Sequence, residues 1–85
     1  MNYVEKTLSP GQCRAARALL NWSREDLAEQ SKVSRAAIAD FETDKRQVRE
    51  RTTDDLVRAF EAAGVQFIPQ NGGGPGVRLR APSPE

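Results

Sequence analysis

The sequence predicts a mainly α fold of four to five helices, closed by a C-terminal β-hairpin. Three observations carry this expectation. Apolar residues recur at helical spacing in short runs up to Gly64, and a serine or threonine stands ahead of each run. Past Gly64 the period drops to two, in VQFI and VRLR, on either side of a glycine-rich stretch. The chain has 85 residues, enough for one small core. The expected divisions are a flexible extension over 1–8, a helical domain over 9–64, a hairpin over 65–80 and a disordered tail over 81–85.

The first helix is expected to open at Ser9. Pro10 suits the first helical position, and Gln12, three residues after the serine, completes a capping box. Cys13, Ala16, Leu19 and Leu20 form its apolar stripe, and Asn21 ends it. Ser23 opens the second helix with Asp26 three residues on, and Trp22 is placed to staple onto Leu27. Leu27 and Ala28 point inward, and the helix ends near Ser31. After a short break, Ser34 caps a third helix running to about Thr43, with Val33, Ala37, Ile38 and Phe41 as its inward set. Thr52 or Thr53 is expected to cap a fourth helix, with Asp54 and Asp55 at its positive end. Leu56, Val57, Phe60 and Ala63 line its buried face, and Gly64 closes it. In the hairpin, Val65 and Phe67 share a face with Val77 and Leu79.

Composition narrows the function classes. A hydrophobic fraction of 38% and a charged fraction of 29% suit a soluble helical protein. One cysteine and no histidine exclude an internal disulfide and a Cys/His zinc site, so no metal or cofactor is expected. Cys13 on the apolar stripe reads as a buried, inert thiol. The start lacks the build of a signal peptide and no apolar run could cross a bilayer, so the expected setting is cytoplasmic, with no membrane partner. No nucleophile–base pair is visible, and adjacent Asp54 and Asp55 face different directions, so no enzyme is expected. NGGGPG is a poor phosphate cradle, because a strand pattern, not a helix, follows it.

Net charge is only +1, yet Lys45, Arg46, Arg49 and Arg51 fall within seven residues, against Glu50 alone. The third helix just before them is small on its outer face, where Arg35, Ala36, Ala39, Asp40 and Thr43 lie. A major groove about 12 Å wide admits such a helix. Ser34 and the helix N-terminus offer N–H groups to phosphate, and Arg35 can contact guanine through two bonds. Ala36 and Ala39 can touch a thymine methyl, and Asp40 can accept from cytosine N4. Arg14 and Arg17 are either a solvated face or extra phosphate contacts. Glu42 suits an ion pair within the chain better than a place beside phosphate.

The stretch ARALLNWSREDLAEQSKVSRAAIADFE resembles the phage-repressor-like helix-turn-helix family, the Cro-like or XRE transcriptional regulators. The resemblance rests on a leucine-ended first helix, Trp-Ser before the second, Leu-Ala within it, Val-Ser at the turn, and Ile-x-x-Phe-Glu in the third. It implies a lambda-repressor-like DNA-binding domain whose third helix reads double-stranded DNA through Ser34, Arg35, Ala36, Ala39 and Asp40. Arg24, Thr43, Lys45, Arg46 and Arg49 would meet phosphate. The chain departs from the family where Arg24 replaces a common glutamine, and where Lys32 and Asp44 replace common glycines.

A lone two-stranded hairpin is marginal in water, so its apolar face needs a partner. The expected partner is a second copy, giving a homodimer through Val65, Phe67, Ile68, Val77 and Leu79, with the fourth helix as an alternative or added contributor. Folding back onto the chain's own helices is the alternative. The functional expectation is a dimeric repressor reading an inverted repeat. The rival is an antitoxin, or another protein-interaction module, that binds a partner such as a toxin and also autoregulates its own operon.

Overall fold

The computed structural model describes residues 8–80. The expected tail at 81–85, and the expected extension apart from Leu8, lie outside the described residues. Leu8 is buried in the core, so it belongs with the folded unit and not with the extension.

Among the described residues, four helices and one hairpin follow in order: α1 (Pro10–Leu20), α2 (Arg24–Ser31), α3 (Arg35–Glu42), α4 (Glu50–Ala62), β1 (Val65–Ile68) and β2 (Gly76–Leu79). The local signals explain the first three starts. Ser9 and Ser23 each sit in a complete capping box, with Gln12 and Asp26 returning the bond. The Ser34 hydroxyl accepts from the Ala37 N–H at 3.1 Å.

α4 departs from the expected start. It begins at Glu50, with Arg49 as its cap residue and no side-chain cap bond. Thr53 instead donates its hydroxyl to the Glu50 carbonyl, one turn inside the helix, at 2.8 Å. Asp54 and Asp55 therefore lie in the second turn, past the end they were expected to neutralise. Ala63, not Gly64, is the C-terminal cap, and Gly64 follows at φ 99°, turning the chain into β1.

Three other residues hold left-handed backbone without being glycine: Asn21 (φ 58°), Lys32 (φ 65°) and Asp44 (φ 56°). Lys32 and Asp44 are the positions where the resemblance favours glycine. The α2–α3 turn keeps its shape through Ser31. Its hydroxyl donates to the Leu27 carbonyl at 2.7 Å and accepts the Val33 N–H at 3.2 Å.

The core gathers Cys13, Ala16, Leu27, Val33, Ile38, Phe41, Leu56, Val57, Phe60 and Val65 with Leu8. Phe60 is its centre. Trp22 stacks on it and Phe67 meets it edge-on, both at 5.9 Å between ring centroids. Trp22, expected to staple onto Leu27, packs against the cluster that contains Leu27 and adds the ring contact with Phe60. Leu19 also departs from expectation: it is exposed, at the edge of the α1 stripe.

The strands pair antiparallel, with Val65 opposite Leu79 and Phe67 opposite Val77, the expected face-sharing. The hairpin folds back on its own helices. β2 lies against α1 and β1 against α4. Gln12, already part of the α1 capping box, donates its side-chain amide to the Gly76 carbonyl at 3.0 Å. Arg80 N–H donates to the Gly64 carbonyl at 2.8 Å.

Of the residues expected at a dimer face, Val65 is wholly buried in its own chain, whereas Leu79 is 48% exposed. No helix among the described residues is long and apolar enough to cross a membrane.

Candidate nucleic-acid interface

α2 and α3 pack as a helix pair joined by a short turn, and α1 and α4 brace them from α1 against α3 and α4 against α2. Inward anchoring by Ile38, Phe41 and Glu42 sets which side of α3 faces out. On that outer side Ser34, Arg35, Ala36 and Thr43 are exposed, and Ala39 and Asp40 are half-buried. No large apolar side chain stands there. Of the five positions expected to meet bases, Arg35, Ala36, Ala39 and Asp40 share one side of α3, and Ser34 stands at its N-terminal end.

The polar groups on this flank are partnered within the chain. Arg35 Nε donates to Glu25 Oε2 from the first turn of α2. Arg46 Nε donates to Asp40 Oδ2 at 2.8 Å, which draws the basic loop against the end of α3. Thr43 Oγ1 donates to the Ala39 carbonyl at 2.8 Å, so the helix end already holds that hydroxyl. Lys45 is exposed, and its backbone N–H donates to the Asp40 carbonyl at 2.8 Å. Arg49 is exposed at the start of α4, next to exposed Arg51. Exposed ion pairs of this kind contribute little to stability and can exchange partners.

Beneath the flank lies a feature that the sequence hinted at only as an ion pair. Glu42 is fully buried at the side chain and binds both Arg17 and Arg24. Arg17 grips both carboxylate oxygens at 2.8 Å each, and Arg24 Nε adds a third bond at 2.9 Å. Arg14 donates to the Glu42 carbonyl from α1. Burial alone would raise the Glu42 carboxyl, but the donors from Arg17, Cys13 and Arg24 outweigh it and hold the group at about 2. Cys13 is pushed strongly upward, first by burial and then by the same carboxylate, so its thiol stays neutral. The signal for this hub was available: Glu42 lies four residues after Ile38 and so shares its inward face.

Arg24 and Glu25 are neighbours at the start of α2, yet they hold opposite ends of α3. Arg24 reaches Glu42 at its C-terminus and Glu25 reaches Arg35 at its N-terminus, roughly 10 Å apart along the helix. Of the two ties only the one at Glu42 is buried, so it is the one that holds α3 on α2. That tie also means that Arg24, expected on phosphate, has its Nε committed inward. Arg17 belongs to the same hub and is neither a solvated residue nor a free cation. On the hairpin, Arg78 donates to Gln66 at 3.0 Å and Arg80 to the Glu61 carbonyl at 3.1 Å.

Among the described residues no cluster of His, Cys, Asp or Glu could hold a metal ion. A family model described as helix-turn-helix matches residues 14–62, more than half of the chain. No curated protein matches it.

Proposed function

Because the chain belongs to the Cro-like, XRE-type helix-turn-helix family, a family of DNA-binding transcriptional regulators, we propose that it acts as a dimeric repressor reading an inverted repeat. The observation that carries this reading is the outer flank of α3. It is accessible, built of short side chains, begins at a helix N-terminus and is followed at once by a basic loop. Such a rod fits the major groove, with base edges facing Arg35, Ala36, Ala39 and Asp40 and a phosphate at Ser34. Lys45, Arg46, Arg49 and the outer nitrogens of Arg24 take the flanking phosphates, which set register without reading sequence. Thr43 adds a phosphate contact at the helix end by turning its hydroxyl away from the Ala39 carbonyl.

The dimer supplies the second half-site. Two α3 helices about 34 Å apart meet successive major grooves on one side of the duplex. The proposed interface centres on exposed Leu79 with half-buried Ile68, because Val65, Phe67 and Val77 already serve the chain's own core. A dimer so seated over a promoter would repress by occlusion, in the cytoplasm.

Fluorescence anisotropy on duplexes from a random-pool selection tests the reading. It requires a selected site bound far more tightly than random DNA of equal length. Equal affinity for both would leave only a basic protein that coats DNA.

A further inference from the structure

Glu25 is exposed, acidic and set beside a surface proposed to meet a polyanion, where a carboxylate is a liability for affinity. Its position is nevertheless well defined. The Ser23–Asp26 capping box fixes the first turn of α2, and Glu25 projects from that turn to Arg35 on the next helix. Both side chains are largely in water, 55% exposed for Arg35 and 65% for Glu25. A pair that exposed does little for the fold.

The geometry of the contact suggests what it does instead. Only Nε of Arg35 is engaged. Among the described residues, Nη1 and Nη2 carry no bond in the structure. That end of the guanidinium is the one able to make two parallel bonds to guanine O6 and N7.

Resting on the reading of α3 given above, we infer that Glu25 is a specificity-determining positioning residue, which holds Arg35 by Nε and aims its outer edge at one guanine. An arginine at the first position of a helix otherwise samples many rotamers, and ordering it on binding costs affinity for the correct base only. Held in advance, it discriminates more sharply. The carboxylate also repels phosphate, so it lowers affinity for random DNA at the same time. Glu25 thus widens the gap between cognate and random sites from both directions, without touching a base.

The test uses the full chain, the selected duplex and its single-base variants across the half-site. Wild type, Glu25→Gln, Arg35→Ala and the double variant are compared by anisotropy, with thermal melts as a check on folding. Glu25→Gln is expected to melt as wild type and to bind random DNA as well or better. Its preference at one position falls about three- to ten-fold. In the Arg35→Ala background, Glu25→Gln changes no base preference. An unaltered preference profile in Glu25→Gln, while Arg35→Ala flattens one position, overturns the inference and leaves the α3 reading intact. A loss of preference that persists in the Arg35→Ala background overturns it too, because Glu25 then acts by another route. If Arg35→Ala flattens nothing, the assignment of Arg35 to a base fails, and the inference falls with it.

Discussion

Replacing Glu42 by glutamine removes one negative charge from the junction of α1, α2 and α3 while keeping the side chain's size. The folded carboxyl is held at about 2, against an ordinary 4.5. Each pKa unit is worth about 1.4 kcal/mol, so the charged form gains about 3 kcal/mol on folding. Glutamine also leaves Arg17 and Arg24 facing an acceptor without charge. Both arginines keep some access to water, 19% and 29% at the side chain, so they can be partly rehydrated. The expected loss is therefore about 2–3 kcal/mol, below the usual cost of stranding a fully buried charge. For a domain this size, whose whole stability is about 4–13 kcal/mol, that is a large fraction. Urea titrations followed by tryptophan fluorescence measure it, since Trp22 stacks on the core residue Phe60.

The pH dependence supplies the sharper check. Because the folded pKa lies below the unfolded one, the stabilisation is complete above about pH 4.5 and drains away as pH falls toward 2. The gap between wild type and Glu42→Gln should be constant from pH 7 to 5. It should then narrow in acid by up to about 1.4 kcal/mol per pH unit. A gap under about 0.5 kcal/mol at pH 7, or one that does not shrink in acid, would refute the hub as a source of stability.

Arg35→Ala should relax one base preference at a cost of about 1–3 kcal/mol on cognate DNA, read by anisotropy, and equal loss on random DNA would contradict it. Lys45→Ala and Arg46→Ala should each weaken cognate and random duplexes alike and flatten the salt slope by about one unit, as salt titrations would show. Lys32→Gly should raise the melting midpoint, because glycine relieves the left-handed strain at φ 65°, a gain of about 1 kcal/mol. Leu79→Glu should convert a dimer to monomer in light scattering while leaving the melt nearly unchanged, since Leu79 is exposed in the single chain. An unchanged mass would move the interface elsewhere.

The helices were legible because their signals are local. Ser9, Ser23 and Ser34 each close a backbone bond within three residues, and the Ile38–Phe41 spacing names the buried side of α3 directly. The α4 start was misplaced for the same reason. Threonine is a common cap, so Thr52 and Thr53 outweighed Arg49, which caps by backbone geometry alone. The hairpin's register could be read from its alternation, but not its docking. That depends on Gln12 meeting Gly76 across 64 positions and on Phe67 finding Phe60. The candidate interface was legible as a set of residue types along α3. Its support was not, because Glu42–Arg17, Glu42–Arg24 and Glu25–Arg35 join separate helices. Whether a charged residue pairs inward or faces a ligand is decided by tertiary placement, and no window of sequence contains that.

The claim that α3 reads DNA is tested most directly by selecting bound duplexes from a random pool, in parallel, with wild type and Arg35→Ala. The account predicts that wild type enriches a two-fold symmetric site, with half-sites about 10 base pairs apart. The variant should then lose the requirement at one symmetric pair of positions. Enrichment of no motif by wild type, or of the same motif by both proteins, would contradict it.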